Sequence, residues 1–161
     1  SEADRILTLL TPELGKFDVR AKGVRKPSSR KRGHIELFTH LQAHIVPGKW
    51  LPILTQAQSY AQFTIDTQSI NLYHAYHLVE VTDRLLPEHD AQPEIFDMLL
   101  KAIKYIQQPS PNFTKLHHSY KLRLLQHLGY WPQGQSTPLN IDHYLTEILE
   151  RPLKTTAFLQ T

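Results

Sequence analysis

Hydrophobic and polar positions change their spacing about a third of the way along the chain. Up to about residue 63, apolar residues alternate with polar ones, a pattern typical of strands that bury one face. From Asp66 or Thr67 onward, apolar residues recur every three or four positions, as in helices that bury one stripe. The change of period predicts an α+β chain, with a sheet domain over residues 1–66 and a helical domain over residues 67–161.

The sheet domain contains several segments of strand length, joined by turns that contain Pro or Gly. The clearest alternation runs through Lys16–Lys22, where Phe17, Val19 and Ala21 share one face and charged residues share the other. The other expected strands are Arg5–Leu10, His34–Ile45 and Lys49–Leu54, with Thr55–Phe63 as either a strand or the approach to a helix. This arrangement predicts a small antiparallel β-barrel.

The helical domain contains four predicted helices with recognisable start or stop signals. The first ends at about Leu86, before Pro87, and is expected to bury Leu72, Ala75, Tyr76 and Val79. Pro93 suits the first position of the second helix, and Asn112 and Asn140 suit the N-caps of the third and fourth. Gly129 is expected to end the third helix, and the fourth should run through Glu150.

The positive charge of the chain is concentrated at its front. Residues 1–34 hold nine Lys or Arg against four Asp or Glu, whereas residues 35–161 hold nine against eleven. A dense basic run on a mildly acidic remainder predicts a polyanionic partner such as nucleic acid. The alternative is a solvated loop with no binding role.

Several chemistries are not supported by the sequence. The chain has no Cys, so it offers neither a disulfide framework nor a thiolate zinc site. Its six glycines are too widely spaced for a phosphate-binding loop, and no Ser occupies a nucleophile elbow. No apolar run is long enough to span a membrane and no signal peptide is visible, so we expect a cytoplasmic protein.

The histidines raise the question of a metal site. His74, His77 and Glu80 have helical spacing and would share one face, which can bring ligands together. His40 and His44 are too far apart along a strand, at roughly 13 Å, to hold one ion by themselves. Partly buried or surface histidines explain the pattern without a metal, and we predict none.

The candidate nucleic-acid-binding residues are long cations that can follow a phosphate backbone and aromatic rings that can stack on bases. Phe38 lies on the polar face of its expected strand and is the first stacking candidate, followed by Trp50. Packing in the barrel core is the alternative for each ring. The candidate cations are Lys16, Arg20, Lys22, Arg25, Lys26, Arg30, Lys31 and Arg32.

Four segments in order resemble RecO, the bacterial recombination mediator family. Glu2–Lys16 is similar to the opening of the family, and Ala21–Arg30 to its basic hairpin. Ala75–Glu88 is similar to the first long helix of its second domain, and Tyr120–Pro132 to its Gly-Tyr-x-Pro region. The resemblance covers nearly the whole chain and implies an OB-fold domain followed by a helical domain.

The resemblance also implies a function without catalysis. It implies binding of single- and double-stranded DNA, annealing of complementary strands, and loading of RecA onto DNA coated with the single-stranded-DNA-binding protein SSB. The implied partners are RecR and the acidic tail of SSB, and the implied location is the bacterial nucleoid. An acidic, apolar tail needs a hydrophobic groove with bases nearby. The candidate bases in the helical domain are Lys101, Lys104, Lys121, Arg123, Arg151 and Lys154.

Two departures from the family pattern change what we expect. Many members carry a four-Cys zinc module after Gly-Tyr-x-Pro, whereas Gln133–Leu139 is a short Cys-free segment, so no zinc or other cofactor is expected. The family also has a first barrel strand before its Glu-x-Asp segment. This sequence begins at that segment, so either it is a piece of a longer sequence or the barrel lacks its first strand.

Three other functions stay open from the sequence. One is an OB module that binds RNA, since a basic hairpin does not by itself distinguish RNA from DNA. Another is a protein-interaction scaffold in which the basic run is only solvated. The third is a metal-dependent hydrolase that uses His74, His77 and Glu80.

Overall fold

The computed structural model describes residues 3–62 and 70–159, which fall into two compact units. The first unit contains the strands and the segment Glu88–Ala91, and the second contains the helices. The predicted boundary between residues 66 and 67 lies outside the described residues. The segment Glu88–Ala91 falls inside the predicted helical domain, but it packs with the sheet.

The first unit is built on a four-stranded sheet with the order β1-β2-β4-β3. The strands are β1 (Arg5–Thr11), β2 (Gly15–Ala21), β3 (Thr39–Val46) and β4 (Ile53–Gln62). β1 and β2 form one antiparallel hairpin, β3 and β4 form another, and β2 runs parallel to β4 where Arg20 meets Ile53. The α+β class is confirmed. Both hairpins are antiparallel as predicted, but β2 and β4 pair in parallel, because the long connection between the hairpins returns β4 beside β2 in the same direction.

The core of this unit lies on one face of the sheet. Phe17, Val19 and Ala21 are buried as their alternation predicts, and they pack with Val24, Ile35 and Leu54. The segment Glu88–Ala91 closes over the start of β2, where the His89 ring stacks on Phe17 at 5.8 Å between centroids.

Gly15 is required at the turn between β1 and β2. Its φ is +72°, and a Cβ there would lie 2.3 Å from the carbonyl oxygen of Asp90. Only glycine combines this backbone conformation with so close an approach of another chain segment.

The connection into β3 differs from the expected strand over His34–Ile45. Residues Arg32–His34 form a 3-10 turn, and Phe38 has a φ of 61°, which is incompatible with an extended strand. β3 therefore begins only at Thr39. Two alternatives were left open for Thr55–Phe63, and the structure shows a strand that extends to Gln62. Phe63 lies outside the described residues.

Five helices make up the second unit over the part of the chain that is described. They are α1 (Ile70–Leu85), α2 (Pro93–Ile106), α3 (Phe113–His127), α4 (Ile141–Leu149) and the short α5 (Thr156–Leu159), which the sequence did not indicate. The expected start of α1 at residues 66–67 lies outside the described residues. None of the described helices is long and apolar enough to cross a membrane.

The predicted helix boundaries after α1 are confirmed by their caps. The Asn112 side chain accepts a hydrogen bond from the Lys115 N–H at 3.0 Å. The Asn140 side chain likewise accepts from the N–H groups of Asp142 and His143. Gly129 has a φ of +81° and follows the end of α3, as expected of a glycine that stops a helix.

The buried stripe of α1 was predicted only in part. Ala75 is buried, and Leu72 and Val79 are partly buried, but Tyr76 is 37% exposed. The stripe instead continues through Leu78, Val81 and Leu85. The prediction for Tyr76 is wrong because its position is rotated by one residue, about 100°, from Ala75 around the helix.

Candidate functional site

Six basic residues of the sheet unit lie on the first part of the connection between the two hairpins, Lys22–Gly33, which we call the basic segment. Five of its bases are exposed, and Lys31 is partly buried. The exposed bases are Lys22, Arg25, Lys26, Arg30 and Arg32. The structure therefore brings these five predicted DNA-binding cations together on one short stretch of chain.

The basic segment is fixed to the sheet at several points. Val24 is buried in the core, and Ile35 is buried just beyond the far end of the segment. The Arg25 N–H donates to the Ala3 carbonyl at 3.1 Å. Towards the far end, the Lys31 Nζ donates to the Leu54 carbonyl at 3.1 Å. The exposed bases are thus carried by a backbone with defined attachments.

Asp4 organises the start of the basic segment and engages one of the predicted cations. Its carboxylate accepts hydrogen bonds from the Gly23 N–H at 2.9 Å and from the Arg20 guanidinium at 2.6 and 2.9 Å. The hydrogen bond from Gly23 and then that from Arg20 hold the pKa of Asp4 below its usual value. Arg20 was expected on an open face for phosphate, but its guanidinium contacts Asp4, so we assign it a positioning role first.

Lys16 lies on β2 and is partly buried. Its carbonyl accepts a hydrogen bond from the His89 N–H at 2.8 Å, which joins the segment Glu88–Ala91 to the sheet. Its contact with phosphate stays a prediction.

The two predicted stacking rings are placed very differently. Phe38 is partly buried in the turn that precedes β3. Trp50 is 84% exposed in the turn between β3 and β4, with the Lys49 Nζ 5.4 Å from its ring centroid. An exposed indole with a neighbouring ammonium suits stacking on a base next to a phosphate.

The helical unit contains an open groove of about 450 Å³ between α2 and α3. Three predicted partner-binding bases line it, namely Lys101, Lys104 and Arg123. Met98, Leu116 and the rings of Tyr105 and Tyr120 supply its apolar surface. The groove therefore combines an apolar floor with cations, as an acidic, apolar peptide would require.

The other three predicted partner-binding bases do not line this groove. Arg151 and Lys154 are exposed near the C-terminal end of the described chain. Lys121 is only 2% exposed, and its Nζ lies 2.6 Å from an Asp142 carboxylate oxygen. Burial lowers the pKa of Lys121, while Asp142 opposes that shift. The expectation of Lys121 as a surface base is corrected, because its ammonium is part of the interior of the helical unit.

The histidines that suggested a metal site form a packed cluster instead. The Nδ1 of His74 lies 2.9 Å from the Nε2 of His117, and the His77 ring stacks on His117 at 5.0 Å. Glu80 accepts hydrogen bonds from the N–H groups of Lys154 and Thr155, so its carboxylate is engaged elsewhere. Within residues 3–62 and 70–159, no group of three His, Cys, Asp or Glu is arranged to hold a metal ion.

Burial keeps these histidines neutral. It lowers the pKa of His77 to about 4 and that of His117 to about 3, and the ammonium of Lys121 adds to both shifts. The pKa of His74 is lowered for the same two reasons. A cluster that carries no charge in the interior belongs to the packing of the unit.

Comparisons with known proteins match both units to one family. Residues 1–63 match the family model described as recombination protein O N terminal, and residues 67–138 match the one described as recombination protein O C terminal. This chain belongs to the RecO family of DNA repair proteins. The printed names of the matching models and relatives refer to recombination and DNA repair.

Individual relatives are similar over most of the chain. The DNA repair protein RecO of Heliobacterium modesticaldum is 40% identical over 134 residues, which are 82% of this chain and 48% of that protein. That of Roseiflexus sp. is 39% identical over 133 residues, or 82% of this chain and 46% of that protein. That of Dehalococcoides mccartyi is 35% identical over 134 residues, or 82% of this chain and 52% of that protein. The chain thus spans about half the length of these relatives.

Some residues of the candidate sites in this RecO-family chain were not indicated by the sequence. Asp4 is separated from the basic segment by a whole hairpin, and only the register of β1 against β2 brings it beside Arg20. Met98, Tyr105 and Leu116 were not among the predicted site residues, because only the packing of α2 against α3 places them at a groove. The exposed Tyr60 of β4 was not among the predicted stacking rings, although the alternating pattern of its strand could have indicated it.

Proposed function

We propose that this chain binds single- and double-stranded DNA through the basic segment. The observation that carries the proposal is the group of five exposed bases on a stretch of chain attached to the sheet. Long exposed cations can follow a phosphate backbone and release its condensed counterions, which favours binding to both forms of DNA. Lys16, Arg20 and Lys31 would contribute at its margins, and Phe38 and Trp50 would contact bases.

Annealing follows from the same electrostatics. Two complementary strands repel each other through their phosphates, and a surface that neutralises both lowers that repulsion. The chemistry needs no cofactor and no metal. The protein would act in the cytoplasm at the nucleoid, where its DNA substrate is found.

The test is fluorescence anisotropy of labelled DNA at several salt concentrations, with the triple variant K26A/R30A/R32A. Its salt slope should fall by up to about 2, at roughly 0.7 per lost contact on single strands. Exposed loop substitutions of this kind should change the free energy of unfolding by less than about 0.5 kcal/mol each.

The matched control is K115A/R151A/K154A, which removes the same charge from exposed positions of the helical unit. It should bind DNA as the unmodified protein does. Equal losses in the two triple variants would show that only net charge matters, and an unchanged affinity in the first would refute the assignment.

We also propose that the groove between α2 and α3 binds the acidic C-terminal tail of SSB. Its apolar floor at Met98 and Leu116 would take the apolar end of the tail, and Lys101, Lys104 and Arg123 would pair with its carboxylates. A labelled tail peptide should lose affinity in K101E and R123E, whereas K154E serves as the control outside the groove. Equal binding by all three variants would exclude this groove.

Through these two sites the chain would work with RecR to load RecA onto SSB-coated DNA. The basic segment would hold the DNA while the groove held SSB. Formation of RecA filaments on SSB-coated single strands, with and without RecR, tests this role. A K101E chain that still binds bare DNA but no longer assists RecA would separate the two contributions.

A further inference from the structure

The outer face of the β3–β4 hairpin has an unusual composition. Its side chains are two histidines, three glutamines and a tyrosine, and we call this surface the hairpin face. It consists of His40, Gln42 and His44 on β3 and of Gln56, Gln58 and Tyr60 on β4. Neither strand contains a single Asp, Glu, Lys or Arg. Designed surfaces aim for roughly a quarter to a third of their residues as charged side chains, whereas this face has none.

The register of the hairpin arranges these side chains in rows. Gln42 is paired with Gln58, and His44 with Gln56. The His40 ring meets the Tyr60 ring edge-on, at 5.1 Å between centroids. Tyr60 remains 63% exposed, so this contact leaves much of its ring accessible.

The opposite side of the hairpin is committed to the fold. Ala43, Ile45 and Ala57 pack against the core of the sheet unit. The alternation of side chains then directs the polar residues outward. The core therefore accounts for one face of the hairpin and leaves the composition of the other unexplained.

We propose that the hairpin face binds the bases of single-stranded DNA and gives the chain its preference for single strands over duplex. The proposal rests on the DNA-binding function proposed above. Glutamine amides both donate and accept hydrogen bonds, as base edges do, and an aromatic ring can stack on any base. A duplex buries its base faces within the stack and presents phosphates, to which an uncharged surface offers little.

The basic segment meets β4 on the side opposite the hairpin face, and an exposed indole lies at one end of that face. His34 follows the basic segment, and its Nδ1 lies 2.9 Å from the Ser59 Oγ. Ser59 is the residue before Tyr60, so that contact and the hairpin face lie on the two sides of β4 at the same level. Trp50 lies in the turn at the opposite end, about 20 Å away at the rise of a strand.

This arrangement divides the work between two surfaces. The basic segment would supply affinity that depends on salt and is shared by both forms of DNA. The hairpin face would add affinity that depends little on salt and is available only to unpaired bases.

The test compares Y60A with Y60F on single-stranded and duplex DNA across a salt series. Y60A should weaken single-strand binding about tenfold while leaving the salt slope and duplex affinity unchanged, since stacking on one base is lost. Y60F keeps the ring and should bind as the unmodified protein does. Y130A, which removes an exposed tyrosine of the helical unit, is the matched control.

The outcomes separate this inference from the proposed function. If the unmodified chain binds no DNA, the proposed function fails and this inference with it. If it binds DNA but Y60A loses single strands and duplex equally, or loses neither, only the hairpin face is wrong. A hairpin face that joins two copies of the chain would instead appear as a change in sedimentation of Y60A without a change in single-strand affinity. Q58A provides a second test of the hairpin face, because truncating Gln58 leaves the contact between the His40 and Tyr60 rings intact.

Discussion

The basic segment of the sheet unit and the buried bases of the helical unit use their side chains in opposite ways. In the sheet unit, five cations of the basic segment are exposed on a connection whose backbone is anchored. In the helical unit, Lys121 and the cluster of His74, His77 and His117 are packed among helices, with Asp142 as the partner of the ammonium. Bases of the first kind are available to a ligand, whereas those of the second kind contribute to stability.

The difference has a physical origin. A buried cation loses its hydration and must recover it from a carboxylate or hydrogen bonds, so it is tied to its surroundings. An exposed cation keeps its hydration and can exchange it for a phosphate. Accessibility therefore decides which basic residues can bind DNA, and the following predictions test that distinction.

The largest expected effect is a loss of stability in mild acid. Histidines with a folded-state pKa of about 4 at His77 and about 3 at His117 stay neutral in the fold, while the unfolded chain takes up protons near pH 6.5. The free energy of unfolding should be highest above pH 6.5 and fall as the pH decreases, by up to about 2 kcal/mol per histidine at pH 5. Urea unfolding at pH 7.5, 6 and 5 measures this slope.

The carboxylate of Glu80 should contribute little to the change in stability between pH 5 and 6.5. The pKa of Glu80 is lowered because hydrogen bonds from Thr155 and Lys154 outweigh its burial, so its contribution is lost only below about pH 4.5. H77Q and H117Q should each flatten the slope between pH 5 and 6.5. H118Q, on the exposed side of α3, is the control. A flat profile for the unmodified protein would mean that the cluster is open to solvent.

The next largest effect is expected from removing the carboxylate partner of the buried Lys121 ammonium. D142N should destabilise the helical unit by about 2 kcal/mol, because Lys121 would be left in the interior without its carboxylate. This is less than the range for fully buried pairs, since Asp142 is half exposed. Chemical unfolding measures the loss, and D97N on the exposed side of α2 should change stability by less than about 0.5 kcal/mol. Equal stability of the two variants would place Lys121 in solvent.

The sequence predicted the fold where local signals were strong. The alternation over Phe17, Val19 and Ala21 and the caps at Asn112 and Asn140 appear in the structure, because each depends on neighbours within a few residues. The pairing of β2 with β4 and the packing of Glu88–Ala91 on Gly15 did not follow from the sequence. Both depend on contacts between residues far apart in the chain, which periodicity does not encode.

Prediction of the candidate sites from the sequence was limited in the same way. The basic segment was evident from charge alone, but its pattern did not reveal that Arg20 contacts Asp4. Lys101 and Lys121 look alike in the sequence of two amphipathic helices, yet one lines a groove and the other is buried. Their positions around the helix axes and the packing partner of each face decide the difference.

A smaller effect should distinguish the positioning role of Arg20 from the DNA-binding role of Arg30. R20A should lower the free energy of unfolding by about 1 kcal/mol, since it removes the partner of Asp4 in a pair that is only partly buried. R30A should leave stability unchanged and reduce the affinity for DNA. Thermal unfolding and anisotropy on the same two variants test the distinction. A reversed pattern would make Arg20 a phosphate contact and Arg30 a structural residue.

The smallest expected effect comes from adding one positive charge to the uncharged hairpin face. Q58K places a single cation at the centre of the uncharged hairpin face, beside Gln42 and away from the core. If single-stranded DNA lies along this face, the new ammonium should meet its backbone and raise the salt slope by about 0.7. Affinity at low salt should rise a few fold, and duplex affinity should change less. Q133K, at an exposed position after α3, adds the same charge to the helical unit and controls for net charge, so an equal gain in the two variants would show that DNA does not reach the hairpin face.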